Sequence, residues 1–127
     1  MMDGAIIRSM KYQGNIPRGS VVVFANESTV KLPAGTSSDK LCGVYSQYKN
    51  EDTGSAATGK AIPITVQGPA KACAGEAVEA GDPAYIKATD TSGETYKTKA
   101  TDSRLIGRFL ENGAEDDYVL MLVQMGE

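Results

Sequence analysis

Glycine and proline punctuate this chain so evenly that no run free of both exceeds 13 residues, the longest being Ser20 to Leu32 and Glu94 to Ile106. In a helix interior each glycine costs about 1 kcal/mol and each proline about 3 kcal/mol relative to alanine, so long helices and coiled coils are excluded. A chain of 127 residues, 41% of them hydrophobic, can bury one core and leaves little room for a second. What remains is a single domain of short strands joined by turns.

The strand candidates follow from apolar runs and alternation. Ser20 to Ala25 (Ser-Val-Val-Val-Phe-Ala) is short, β-branched and bounded by Gly19 and Asn26, the pattern of a buried strand. Thr29 to Leu32 alternates and ends at Pro33, so it returns as a hairpin arm. Leu41 to Tyr48 is a third candidate, and Asn50 to Gly59 has the composition of a surface loop. Ile62, Ile64 and Val66 recur at period two, with Pro63 placing that strand at an edge or bulge, and Gln67-Gly68-Pro69 reads as a turn. Ala70 to Cys73 and Ala84 to Ala88 flank the Gly81-Asp82-Pro83 turn, and Thr95 to Lys99 alternates as a half-exposed strand. The last hairpin joins Arg104–Leu110 to Tyr118–Val123 through Glu111–Asp117; its closing strand is apolar on both faces, with a short terminal helix capped by Asp116 or Asp117 as the alternative. About nine short strands define an all-β domain, a small single-domain barrel or sandwich over residues 19–127.

Residues 1–18 differ from the rest. They carry Arg8, Lys11 and Arg18 against Asp3 alone, with the apolar pair Ile6-Ile7, and read as an extended N-terminal arm, either frayed or tied to another surface. Residues 111–127 hold five acids and no base, so opposite ends of two molecules could attract and set register in a cyclic oligomer, against the plainer reading of ordinary charge scatter.

Composition removes several classes of function. There is no histidine, which excludes Ser-His and Cys-His catalysis and the commonest zinc ligand. Thirteen basic against 16 acidic residues give a net charge of −3, which argues against nucleic acid as a partner. Cys42 and Cys73 form no CxxC pair; a disulfide stays open, although a reducing cytoplasm is the simpler assumption because the N-terminus lacks the apolar core of a signal peptide. No apolar run reaches transmembrane length, so no membrane partner is expected.

Three motifs bear on chemistry. The acids of Glu111–Asp117 lack the regular ligand spacing of a calcium loop and read as a solvated hairpin, so no metal is assigned. Gly54 to Ala61 has the glycine and lysine spacing of a phosphate loop but Ala61 in place of the required hydroxyl residue, and strand rather than helix follows. Ser38-Asp39-Lys40-Leu41 weakly resembles the modified-lysine turn of lipoyl and biotinyl carrier domains, but Ala80-Gly81-Asp82-Pro83 follows it where the carriers place a Gly-Asp element upstream. No cofactor and no catalytic centre are assigned, and the chain reads as a non-enzyme.

Order across the chain is more informative than any one motif. Gly19-Ser20-Val21-Val22-Val23, Leu41-Cys42-Gly43-Val44, Val66-Gln67-Gly68, Val78 to Tyr85 around Gly81-Asp82-Pro83, and Leu105-Ile106-Gly107-Arg108-Phe109-Leu110 follow one another over residues 5–125 in a sequence that resembles bacteriophage head-decoration, or capsid cement, proteins. The resemblance implies a structural virion protein, made in the bacterial host cytoplasm, on the outside of an expanded head. There it would clamp adjacent subunits of the major capsid protein, commonly as a homotrimer at threefold or quasi-threefold positions, with no enzyme chemistry. The candidate contacts are Ile6, Ile7, Arg8 and Met10, suited to adding a strand to a neighbour, with Tyr12 and Arg18 as anchors. The competing readings are a carbohydrate- or receptor-binding β module using Tyr45, Tyr48, Tyr85 and Tyr96, and a carrier domain modified on Lys40.

Overall fold

Side-chain alternation becomes eight strands in a computed structural model that describes residues 6–14, 16–35, 39–45, 61–87, 91–99 and 103–124. They are β1 (Ile6–Tyr12), β2 (Ser20–Asn26), β3 (Thr29–Lys31), β4 (Leu41–Tyr45), β5 (Ala61–Cys73), β6 (Pro83–Ile86), β7 (Arg104–Phe109) and β8 (Tyr118–Gln124). The sheet order is β1-β3-β2-β4-β5-β8-β7-β6, and a further pairing of β1 with β5 closes the first five strands into a barrel. β5 is long enough to serve twice: its first half seals the barrel against β1, and its second half starts a flat extension, β5-β8-β7-β6.

Two cores result. Inside the barrel lie Met10, Tyr12, Ile16, Val22, Val30, Cys42, Tyr45, Ile62 and Ile64. The second core, between the barrel wall and the extension, takes Val21 and Val44 from β2 and β4, the alanines 70, 72, 74 and 84, and Phe109, Met121 and Val123 among others. Successive side chains of a strand point to opposite faces, so Val21 serves one core and Val22 the other. That is why β2 reads as an uninterrupted apolar run: both of its faces are covered. The alanines let the extension lie close against the barrel.

The structure corrects several sequence expectations. Gln67-Gly68-Pro69 is no turn; β5 runs straight through it, with Pro69 opposite Leu122. Pro63 and Pro69 are tolerated in these pairings because the N–H each lacks would point away from the strand it is paired with, β1 for Pro63 and β8 for Pro69. Lys11 N–H donates to Ser28 C=O, so Ser9, two residues away, also turns its main-chain groups from β5, and Pro63 faces it in a non-bonded pair. Cys73 N–H donates to Gly19 C=O, away from β8, and Pro69 has the same parity. The expected strand at Thr95–Lys99 makes only isolated bridges, Thr95 to Ala74 and Tyr96 to Tyr85, because Glu76 takes the next amides: its Oε2 accepts from Lys97 N (3.0 Å) and Thr98 N (2.9 Å). Eight named strands therefore replace about nine. Tyr118–Gln124 is strand rather than helix. The loop expected at Asn50–Gly59 and the end of the Leu41–Tyr48 candidate lie outside the described residues.

Candidate interaction surface

The N-terminal segment expected as an arm is, from Ile6 to Tyr12, part of the barrel wall. It pairs antiparallel with β5 from Ile6↔Gln67 to Lys11↔Ala61 and parallel with β3 at Lys11 and Tyr12. The six candidate contacts therefore separate. Met10 and Tyr12 are buried in the barrel core, where they hold the fold instead of facing a partner. Ile6 and Ile7 are 48% and 61% exposed, and Arg8 is exposed beside them. Arg18 is half-buried with its guanidinium 5.5 Å from the centre of the Tyr118 ring, a cation–π contact. β3 meets β1 only at Lys11 and Tyr12, so from Ile7 to Met10 the side of β1 away from β5 has no strand partner among the described residues. An apolar, exposed strand with a free ladder edge is a template for pairing with another chain.

Gly19 shows why the opening motif starts with glycine. Its φ is +84°, and a Cβ there would lie 2.8 Å from both Cys73 N and the Tyr118 ring; its own N–H and C=O bond Tyr45 and Cys73. It ties β2 to β4 and β5 where the two cores meet.

Burial and neighbouring charges shift a few ionisable groups among the described residues. Cys73, Glu94 and Asp116 bring one thiol and two carboxylates within 4.8 Å of one another. Burial, the charges of Glu94 and Asp116, and a weak contact to Glu94 Oε2 (3.9 Å) push the Cys73 thiol up to about 11, the reverse of an activated nucleophile. Burial also raises the Cys42 thiol and the Tyr12 phenol, and both cysteines are free thiols. Burial opposes ionisation of Glu76, but donors from Thr98 and Lys97 outweigh it and hold that carboxyl below its usual range. Of the tyrosines considered for sugar stacking, Tyr45 is buried, Tyr85 and Tyr96 are half-buried and bonded main chain to main chain, and Tyr48 lies outside the described residues. Lys40 is exposed at the foot of β4, where its carbonyl accepts from Phe24 N–H, not at a free hairpin tip. No helix is long and apolar enough to cross a membrane among the described residues.

The described residues thus form an all-β body that exposes apolar side chains on β1 and β7. The whole-chain comparison makes it specific: the family model described as phage cement protein matches residues 1–125. The chain belongs to the phage cement protein family and is a virion structural, capsid-associated protein. Two solved structures share its fold. A chain of the capsid of Myoviridae phage XM1 superposes with a TM-score of 0.73 at 17% identity, over 97% of this chain and 84% of that one. The N base of head fiber gp8.5 of bacteriophage phi29 gives a TM-score of 0.56 at 10% identity, over 94% of each chain. No curated protein matches the chain.

Proposed function

We propose that this protein binds the outside of the expanded phage head and stabilises contacts between neighbouring major capsid subunits, as a trimer on the lattice. Family membership over residues 1–125 supports the setting. The observation that carries the contact itself is the exposure of Ile6 and Ile7 on a strand whose outer edge, from Ile7 to Met10, has no strand partner among the described residues. A main-chain ladder supplies affinity there while the isoleucines and Arg8 supply selectivity. Between subunits of the trimer, the basic residues of the N-terminal segment (Arg8, Lys11, Arg18) and the acidic β7–β8 loop (Glu115, Asp116, Asp117) are opposite in charge and speed encounter. A protein that binds only the expanded lattice shifts the equilibrium toward that lattice by mass action.

Co-sedimentation with expanded heads lacking the protein, and with unexpanded procapsids, tests this. Saturable binding to expanded heads alone is expected, weakened at least about tenfold by the double substitution Ile6→Asp, Ile7→Asp. Removing residues 1–18 is not a clean test, because β1 closes the barrel. Absence of binding to either shell overturns the reading.

A further inference from the structure

The outer face of the extension is apolar, and no element among the described residues covers it. β8 buries Val119, Met121 and Val123, and turns Leu120 and Leu122 to the other side. Cross-strand partners share a face, so Leu122 stands between Pro69 on β5 and Arg108 on β7, both exposed, with Pro83 of β6 beyond Arg108. Leu105 on β7 is 52% exposed. Between them lies an open depression of about 210 Å³ lined by Gly81, Pro83, Leu105, Gly107, Arg108 and Gln124. Its floor has to be glycine: a Cβ at Gly107 would overlap the Leu122 carbonyl oxygen.

This depression is continuous with the exposed end of β1. Ile6 faces Gln67 and Gln67 faces Gln124, which lines the depression. At about 4.8 Å per strand, Ile6 and the β7 residues are roughly 14 Å apart across one surface. Its charge is one-sided. Among the described residues Arg108 has no ion-pair partner and none that lines the depression is acidic, in a chain of net charge −3.

We propose that this face, from Ile6 across Gln124 to the Arg108 depression, docks an apolar segment of the shell subunit that carries a carboxylate, seated against Leu105 and Pro83 with its charge on Arg108. Apolar walls select the body of the segment, and the single unpaired guanidinium selects the acid by a charge-assisted, bidentate hydrogen bond. The inference rests on the cement reading above and adds the chemistry of the partner.

The test is binding of the full chain to expanded heads at two salt concentrations. Leu105→Glu and Arg108→Glu each weaken binding at least about tenfold, Arg108→Lys falls between them and the native protein, and Lys31→Glu, the same charge change on β3, stays within about twofold. Arg108→Glu also flattens the salt dependence. Both Leu105 and Arg108 are exposed, so the variants should keep the native melting temperature. If the native protein binds and these variants bind equally well, the docking face is wrong while the cement reading stands. If the native protein binds no head, the cement reading itself fails. Loss of self-association in the variants with head binding retained overturns the proposal and assigns the face to a second copy of this chain.

Discussion

The barrel and the sheet extension share β5 yet use their surfaces differently. The barrel fills its interior with large side chains, Tyr12, Tyr45, Met10 and the five β-branched residues Ile16, Val22, Val30, Ile62 and Ile64 around them, and closes on itself so that its strands have few free edges. The extension packs one face against the barrel through alanines and a few larger residues, Phe109 and Met121 foremost, and leaves the opposite face with Leu105, Leu122 and Pro69 uncovered. Apart from Ile6 and Ile7 at the start of β1, the barrel's large apolar residues are consumed by folding; the extension has more than folding uses. Apolar surface left over on a structural protein is the surface available for association.

The largest expected effect breaks the barrel. Deleting residues 1–12 removes Met10 and Tyr12 from its core together with the β5 and β3 ladders. Each buried large side chain is worth about 3–5 kcal/mol on truncation, against a total stability of about 5–15 kcal/mol for a typical domain. Calorimetry should find no cooperative transition, whereas melting within a few degrees of the full chain would make β1 an accessory to a barrel that stands without it.

Phe109→Ala acts on the other core. Its side chain is fully buried, so a loss of about 3–5 kcal/mol is expected. Because β2 and β4 contribute to both cores, Val21 to one and Val22 to the other, the molecule should still unfold in one step. Hydrogen exchange showing β7 and β8 opening while β2 keeps full protection would separate the two regions into independent units.

A smaller effect reports on the seam near Gly19. The Cys73 thiol titrates near 11 when folded against 9.0 for the unperturbed group. The folded protein therefore holds its proton more tightly, and the stability this contributes is complete below about pH 9 and lost as pH rises through 11. Tyr12, also raised, adds to the slope in the same direction. Chemical denaturation from pH 8 to 11 should show a shallower decline for Cys73→Ser than for the native chain; identical slopes would mean that neither burial nor the carboxylates of Glu94 and Asp116 raise the Cys73 thiol.

Much of the fold was legible because local patterns were decisive. Ser20–Ala25, Thr29–Leu32, Leu41–Tyr45 and the final hairpin were readable from apolar runs and the turns that bound them. Gln67-Gly68-Pro69 misled because a proline also fits inside a strand where its missing amide would point away from the paired strand, here β8, and that depends on which strands flank it. Thr95–Lys99 misled because alternation cannot reveal that a distant carboxylate, Glu76, occupies the amides a ladder would use. The arm reading missed Met10 and Tyr12 for the same reason: a short strand shows its buried face only when its partners are known. Leu105 and Arg108 escaped notice in sequence, although the two-faced apolarity of Tyr118–Val123 was the signal that could have led to them.

By itself the sequence determined the class of the protein. Its glycine and proline spacing forbids long helices, its lack of histidine removes the commonest catalytic base, and the order of its short motifs matches a cement protein. Only the tertiary structure decided that β1 closes a barrel and that β5 spans two cores. It also decided that Ile6, Gln124, Leu105 and Arg108 share one surface. Those outcomes depend on pairings between residues far apart in the chain, and strand register across such separations is set by packing the whole, not by any local run of residues.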